Sequence, residues 1–102
     1  MNRTTIELSN IHDLARILNE VVNAIPDSDL PSDLRGRANR LGEVFERLET
    51  ATTSLALSNA DAQLVARAVD ATIDALAESE FETRTGLDVG QARRLSASLR
   101  AQ

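Results

Sequence analysis

The chain has no cysteine, lysine, tyrosine or tryptophan, and its one histidine is His12. Without cysteine it has no disulfides, thiol nucleophiles or thiolate metal sites. No Ser-His-Asp arrangement, paired-carboxylate motif or glycine-rich phosphate loop accompanies the histidine, which is expected to lie at the surface. The sequence therefore predicts a protein that is not an enzyme and that holds no cofactor and no metal.

Long apolar runs are also missing. No run approaches the about 20 apolar residues that span a bilayer, and the first ten residues, MNRTTIELSN, lack the apolar region of a signal peptide. We therefore expect no membrane partner and a cytoplasmic location. The net charge of −5 opposes attraction to phosphate backbones, so nucleic acid is not the favoured partner.

Aromatic residues are limited to Phe45 and Phe81, whereas 42% of the 102 residues are hydrophobic. The core is therefore expected to be aliphatic. A chain of this length is enough for one small domain, so residues 1–102 are predicted to form a single helical domain. Small aliphatic side chains each bury little area, so association as a homodimer would add stability.

Apolar residues at helical spacing predict an all-α fold, a four-helix bundle, with helices over about 10–25, 31–57, 59–79 and 88–100. Ser58 and Asp61 have the spacing of a capping pair at the start of the third helix, and Asp88 and Gln91 have it at the start of the fourth. Such pairs satisfy backbone N–H groups that a helix leaves free at its first turn.

Four leucines recur every seven residues along the second predicted helix: Leu34, Leu41, Leu48 and Leu55. This spacing predicts an apolar seam that packs against another helix, either in a coiled-coil dimer or within a bundle. We favour the bundle because Gly42, Val44 and Ala51 flank the seam, where a coiled coil would place paired charges. No basic region precedes the leucines, which argues against a zipper-type DNA binder.

Pairs of similar segments suggest an internal repeat: LARILNEVVNAI at 14–25 with VARAVDATIDAL at 65–76, SDL at 28–30 with SEF at 79–81, and, after a three-residue insertion, ANRL at 38–41 with ARRL at 92–95. The repeat predicts two related helical hairpins packed with pseudo-twofold symmetry. Two unrelated amphipathic helices share the same apolar spacing, so that alternative stays open.

Three acidic residues, Asp70, Asp74 and Glu78, lie four apart on one face of the third predicted helix. Like charges at this spacing destabilise a helix by roughly 0.2–0.5 kcal/mol per pair, and the helix dipole disfavours an acid near the C-terminal end. One interpretation is a docking surface for a basic partner. The alternative is a solvated face that keeps the protein soluble or that pairs with arginines of helix two.

The segment TRTGLDVGQARRLSASL at 83–99 is rich in arginine and has a glycine at a predicted turn. It resembles the turn and second helix of a helix-turn-helix, a resemblance that implies DNA contacts by Gln91, Arg93 and Arg94. Three residues depart from that motif: Glu82, Gly90 and Ala92. A capped terminal helix of the bundle is the alternative, and we favour it.

The overlapping stretch EFETRTGLDVGQARRL also resembles small helical bacterial proteins of no assigned function, which carry an EF-x-TR-x-G stretch before a short final helix. This resemblance implies a folding unit rather than an activity. Residues 80–87 are expected to connect the last two helices, with Gly86 in a left-handed turn.

The predicted function is the non-enzymatic binding of a macromolecule through helix surfaces, as in an immunity or antitoxin-type neutraliser or an adaptor. The acidic charge and small size of the chain suit the capture of a basic protein. One rival hypothesis is a DNA-binding regulator that uses residues 83–99. The other is a structural subunit that only self-associates.

Overall fold

A computed structural model describes residues 3–101, apart from the side chains of Asp27 and Ala101. Its helices and strands are β1 (Arg3–Ile6), α1 (Leu8–Asn23), α2 (Ala38–Thr50), β2 (Leu55–Ser58), α3 (Asn59–Ala75), α4 (Glu78–Thr85) and α5 (Val89–Ala101). The described chain is mostly helical, as predicted, but it has five helices and a two-stranded sheet instead of four helices alone. Its Cα radius of gyration is 12.4 Å, which is compact for this length.

The two strands pair antiparallel, with Thr5 opposite Ala56 and Ile6 opposite Leu55. In β1, Thr4 and Ile6 are buried whereas Arg3 and Thr5 are exposed, which is the alternation of a half-buried strand. Each strand leads almost directly into a helix, α1 after β1 and α3 after β2. Because the strands are antiparallel, the starts of α1 and α3 lie at opposite ends of the sheet, and the two helices pack against each other.

The prediction of one long helix over 31–57 is wrong, because only α2 is helical in this range. Before α2, Gly36 has a φ of 80°, the left-handed conformation, which a right-handed helix does not accommodate. After α2, residues 55–58 form β2, where backbone groups pair with β1 instead of within a helix. Pairing with a distant strand therefore overrides the helical pattern of the sequence.

The four seam leucines consequently do not share a helix. Leu34 lies in the turn before α2, Leu41 and Leu48 lie on α2, and Leu55 lies on β2. The first three are buried and Leu55 is partly buried, so all four contribute to the core. The expectation of a heptad seam is wrong because the seven-residue spacing crosses three different backbone conformations.

The other predicted boundaries shift by a few residues. The first helix, predicted over 10–25, covers Leu8–Asn23, and it ends where the Ala24 and Ile25 N–H groups both donate to the Glu20 carbonyl. The third helix, predicted over 59–79, ends at Ala75.

The predicted connection over 80–87 is largely helical, because α4 occupies Glu78–Thr85. Gly86 ends α4 with a φ of 74°, so the predicted left-handed turn is confirmed. The fourth helix, predicted over 88–100, is α5 at Val89–Ala101.

Both predicted capping pairs are present. The Asp61 N–H donates to Ser58 Oγ over 3.1 Å at the start of α3. At the start of α5, the Gln91 N–H donates to Asp88 Oδ1 over 2.7 Å, and the Asp88 N–H donates to Gln91 Oε1 over 3.1 Å. These contacts are local, which is why the sequence alone predicts them.

The two halves of the chain share their order of elements. In the N-terminal half, β1 and α1 are followed by a turn region and α2; in the C-terminal half, β2 and α3 are followed by α4 and α5. The first residues of α2 and α5 are 51 positions apart. Glu7 and Ser58, which directly precede α1 and α3, are also 51 positions apart. Buried residues recur at this spacing: Leu14 with Val65, Leu18 with Val69, Leu30 with Phe81, Leu41 with Ala92, and Leu48 with Leu99.

This constant spacing corrects the alignment made from the sequence. Leu41 corresponds to the buried Ala92 and not, through a three-residue insertion, to the half-buried Leu95. The core is aliphatic apart from Phe81, its largest fully buried side chain. α1 packs on α2, and α3 packs on α5. No helix within the described range is long and apolar enough to cross a membrane.

Candidate partner-binding grooves

Each helix pair carries an open groove. The α1–α2 groove is lined by residues that include Asn23, Gly42, Phe45, Glu46 and Glu49, has a volume of about 680 Å³, and continues into a smaller crevice beside Asn19. The α3–α5 groove has a volume of about 640 Å³ and is lined by residues that include Arg67, Asp70, Asp74, Arg93, Ser96 and Arg100. With the 51-residue spacing, these two linings occupy corresponding positions.

Several side chains that line the α3–α5 groove form a hydrogen-bonded network. Arg100 Nη2 lies 2.6 Å from Asp70 Oδ2, and Arg100 Nη1 donates to Ser96 Oγ over 2.9 Å. Ser96 is buried, and its hydroxyl lies 2.9 Å from Asp70 Oδ1. Arg67 adds a second cation at 4.0 Å from Asp70. The charge of Asp70 is therefore compensated within the chain.

The predicted acidic line does not form one helical face. Asp70 belongs to the network just described, and Asp74 is exposed on the same groove. Glu78 is not on this helix, because α3 ends at Ala75 and Glu78 is the first residue of α4. Since arginines line the groove together with the two aspartates, this surface is not strongly acidic.

The α1–α2 groove has different side chains at the corresponding positions: Asn19 for Asp70, Gly42 for Arg93, Phe45 for Ser96, Glu46 for Ala97, and Glu49 for Arg100. Glu46 and Glu49 are exposed, and neither forms an ion pair within residues 3–101. Phe45 is half-buried and packs against the core. This groove therefore combines carboxylates outside the ion pairs with an apolar surface, and Arg16 and Arg84 line the crevice that adjoins it.

Gly42 leaves the α2 backbone uncovered in this groove. A glycine inside a helix costs about 1 kcal/mol relative to alanine. The close approach of a neighbouring helix is one reason for such a glycine. However, no heavy atom of the described chain lies within 4 Å of the position that a Cβ would take at Gly42. Packing within the chain does not explain this glycine.

Among the described side chains, three ion pairs join the two halves of the chain: Arg40 with Asp61, Arg67 with Asp33, and Arg84 with Glu20. The side chain of Asp61 is only 8% exposed, and both of its oxygens accept hydrogen bonds from Arg40. Arg40 therefore holds the pKa of Asp61 below its usual range. Sequence reasoning missed these pairs because their members are far apart in the chain and no local spacing marks them.

The other two pairs shift pKa values in the same sense, favouring the charged forms. The pKa of Asp33 is lowered by the hydrogen bonds it accepts from Arg67, whose Nε lies 2.7 Å from Asp33 Oδ2. The pKa of Arg84 is raised by its hydrogen bond to Glu20, over 3.2 Å, together with the charge of nearby Glu80. These arginines stabilise the fold by forming ion pairs between the two halves of the chain.

The DNA-binding alternative implies contacts by Gln91, Arg93 and Arg94. These residues are exposed on α5 but do not line the same groove. Arg93 lines the α3–α5 groove, whereas Arg94 lines a separate crevice with Gln91, Asn10 and Asp13. The Gln91 side chain already accepts the Asp88 N–H at the start of α5.

Comparisons of the chain with protein families, with curated proteins and with solved structures found no match. Interpretation of the grooves therefore depends on their own chemistry. Among the described side chains, no three His, Asp or Glu residues are arranged to hold a metal ion, and His12 is exposed on α1. The two grooves offer charged, amide and apolar groups, which bind by ion pairs, hydrogen bonds and contact.

Proposed function

We propose that this protein binds another protein of net positive charge through its helix surfaces, as a neutraliser or adaptor and not as an enzyme. The observation that carries the proposal is which charged side chains form ion pairs within the chain and which do not. Within the described residues, ion pairs occupy five arginines: Arg16, Arg40, Arg67, Arg84 and Arg100. Arg35 and Arg47 donate to backbone carbonyls.

The described arginines with neither an ion pair nor a side-chain hydrogen bond are Arg3, Arg37, Arg93 and Arg94, and the unpaired carboxylates outnumber them. The acidic side chains outside every ion pair of the described residues are Glu7, Asp29, Glu46, Glu49, Asp74, Glu78, Glu82 and Asp88. Together with the net charge of −5, they produce a negative field around the molecule. Such a field speeds the encounter with a basic partner and opposes approach to a nucleic acid.

The architecture supports a binding role in a second way. We infer that the α1–α2 and α3–α5 hairpins are related by an approximate two-fold axis through the sheet, with α4 in place of the turn region of the N-terminal half. Thr5 and Ala56 are 51 residues apart and lie opposite each other in the strand register, as equivalent residues beside a two-fold axis do. The two grooves are then versions of one surface, and their differences report a difference in use.

The test is capture of the partner with the full chain from cells that make it, followed by calorimetric titration of the purified pair. The expected partner is a basic protein whose affinity falls as salt is raised, because salt screens the ion pairs. The Arg93→Ala/Arg94→Ala double variant is expected to bind that partner at least as well as the original chain.

Two results would overturn this function. One is a DNA duplex that shifts on a gel at low salt and no longer shifts with the Arg93→Ala/Arg94→Ala variant. The other is capture of further copies of the same chain alone, which would make it a self-associating subunit.

A further inference from the structure

We propose that the α1–α2 groove binds a basic helical segment of the protein partner, whose Arg or Lys side chains pair with Glu46 and Glu49. This inference rests on the proposed function and adds the surface and the chemistry of the bound segment. A groove between two helices is a natural seat for a third helix, which lays its side chains between those of its neighbours.

The two walls of the groove present complementary groups for such a segment. Glu46 and Glu49 are three residues apart on α2, so their carboxylates lie on neighbouring positions of one helix face. On α1, Asn23 Nδ2 donates to Asn19 Oδ1 over 2.7 Å, and both amides keep further hydrogen-bonding capacity. The half-buried Phe45 offers an apolar surface on which a guanidinium group can stack.

In the corresponding groove of the C-terminal half, an arginine of the chain itself pairs with the lining carboxylate. There, Arg100 spans Asp70 and Ser96. In the α1–α2 groove the position of Arg100 holds Glu49, so the internal cation is replaced by an anion. Arg16 and Arg84 line the adjoining crevice, but they pair with other carboxylates. Glu49 is therefore outside the ion pairs of the described residues and is available to a cation of another molecule.

Gly42 supports the same groove independently of the charges. Its position corresponds to Arg93, which lines the α3–α5 groove, and nothing in the described chain approaches the site of a Cβ at Gly42. Helical glycine is unfavourable without a compensating contact. Close approach of a partner helix to the α2 backbone supplies that contact, and this approach would lie beside Glu46 and Phe45.

The experiment uses a defined probe, a 16-residue alanine-based helical peptide with three Arg on one face, and a matched peptide with Glu in their place. Wild-type protein is expected to bind the Arg peptide and not the Glu peptide. The Glu46→Gln/Glu49→Gln variant is expected to weaken binding by about tenfold, because it removes two exposed ion pairs.

The matched control is Asp74→Asn/Glu78→Gln, which raises the net charge equally and is expected to change affinity by less than about twofold. A second pair of variants tests whether the bound segment occupies the space beside Gly42. Gly42→Arg should abolish binding because it places a cation and a long side chain in the groove, and Gly42→Ala should weaken binding because its Cβ holds the partner helix away from the α2 backbone. Both substitutions enter open space, and circular dichroism with urea unfolding verifies that they fold.

The possible results distinguish failure of the proposed groove from failure of the proposed function. Equal weakening by the two charge-matched double variants, or full binding by Gly42→Arg, overturns the groove and leaves capture of a basic protein in place. A wild-type dimer that dissociates in the Glu46→Gln/Glu49→Gln variant makes a second copy the occupant and overturns the basic partner segment. Absence of any basic partner in the capture experiment contradicts the function itself.

Discussion

The α1–α2 and α3–α5 grooves, whose lining residues correspond at a spacing of 51, differ in how their charged side chains pair. In the α3–α5 groove, Asp70, Ser96 and Arg100 form hydrogen bonds with one another. In the α1–α2 groove, Glu46 and Glu49 form no ion pair among the described residues. Residues at corresponding positions can therefore pair within the chain in one groove and keep unpaired charges in the other.

The first prediction tests whether the two halves are packed alike, at the corresponding buried residues Leu30 and Phe81. Phe81→Ala is expected to destabilise the protein by about 3–5 kcal/mol and Leu30→Ala by about 2–5 kcal/mol, because each leaves a cavity in the core. Urea unfolding followed by circular dichroism measures both values. A Leu30→Ala variant as stable as wild type would show that the N-terminal half does not use this position as the C-terminal half does.

The second prediction concerns the link between the halves through Arg40 and Asp61. Arg40→Ala is expected to cost about 1–2 kcal/mol, because it leaves the nearly buried Asp61 carboxylate without its charged donor. Gln91, at the position corresponding to Arg40, donates to no residue of the other half within the described range. Gln91→Ala should therefore cost only about 0.5 kcal/mol, from the loss of a cap.

The same pair predicts a pH dependence. Because Arg40 lowers the pKa of Asp61 from its ordinary value of 3.8, the stabilisation is complete above that value and is lost as pH falls through the lower, folded-state value. Unfolding free energies between pH 6 and about pH 2 should therefore converge for wild type and Arg40→Ala at the acid end. The variant Glu43→Gln controls for the second, exposed partner of Arg40. A difference that stays constant over this range would contradict the assignment.

The third and smallest effect compares the grooves directly. Arg100→Ala is expected to destabilise the protein by about 0.5–1 kcal/mol, since its contacts with Asp70 and Ser96 are partly exposed. Glu49→Ala, at the corresponding position, should stay within about 0.5 kcal/mol of wild type. Thermal unfolding of the two variants side by side measures the difference. If Glu49→Ala were the more damaging change, the α1–α2 groove would have a structural role that its contacts do not show.

Part of the candidate site is visible in the sequence. Phe45 is one of only two aromatic residues, and Gly42 is a glycine inside a predicted helix. The acidic line of Asp70, Asp74 and Glu78 directs attention to the other groove, because spacing reports which charges share a helix but not which arginines meet them. Arg100 reaches Asp70 across 30 residues of sequence, and only the packing of α3 on α5 brings them together.

The sequence by itself determined what depends on neighbouring residues: a mostly helical chain, an aliphatic core, the capping pairs at Ser58 and Asp88, and the left-handed Gly86. Those features arise within one or two turns of backbone, where a hydrogen bond or a steric limit acts between residues close in the chain. Tertiary structure decided the rest. Residues 55–58 form a strand because residues 3–6 lie beside them. The unpaired carboxylates can be identified only from the tertiary structure, because it shows which arginines form ion pairs within the chain.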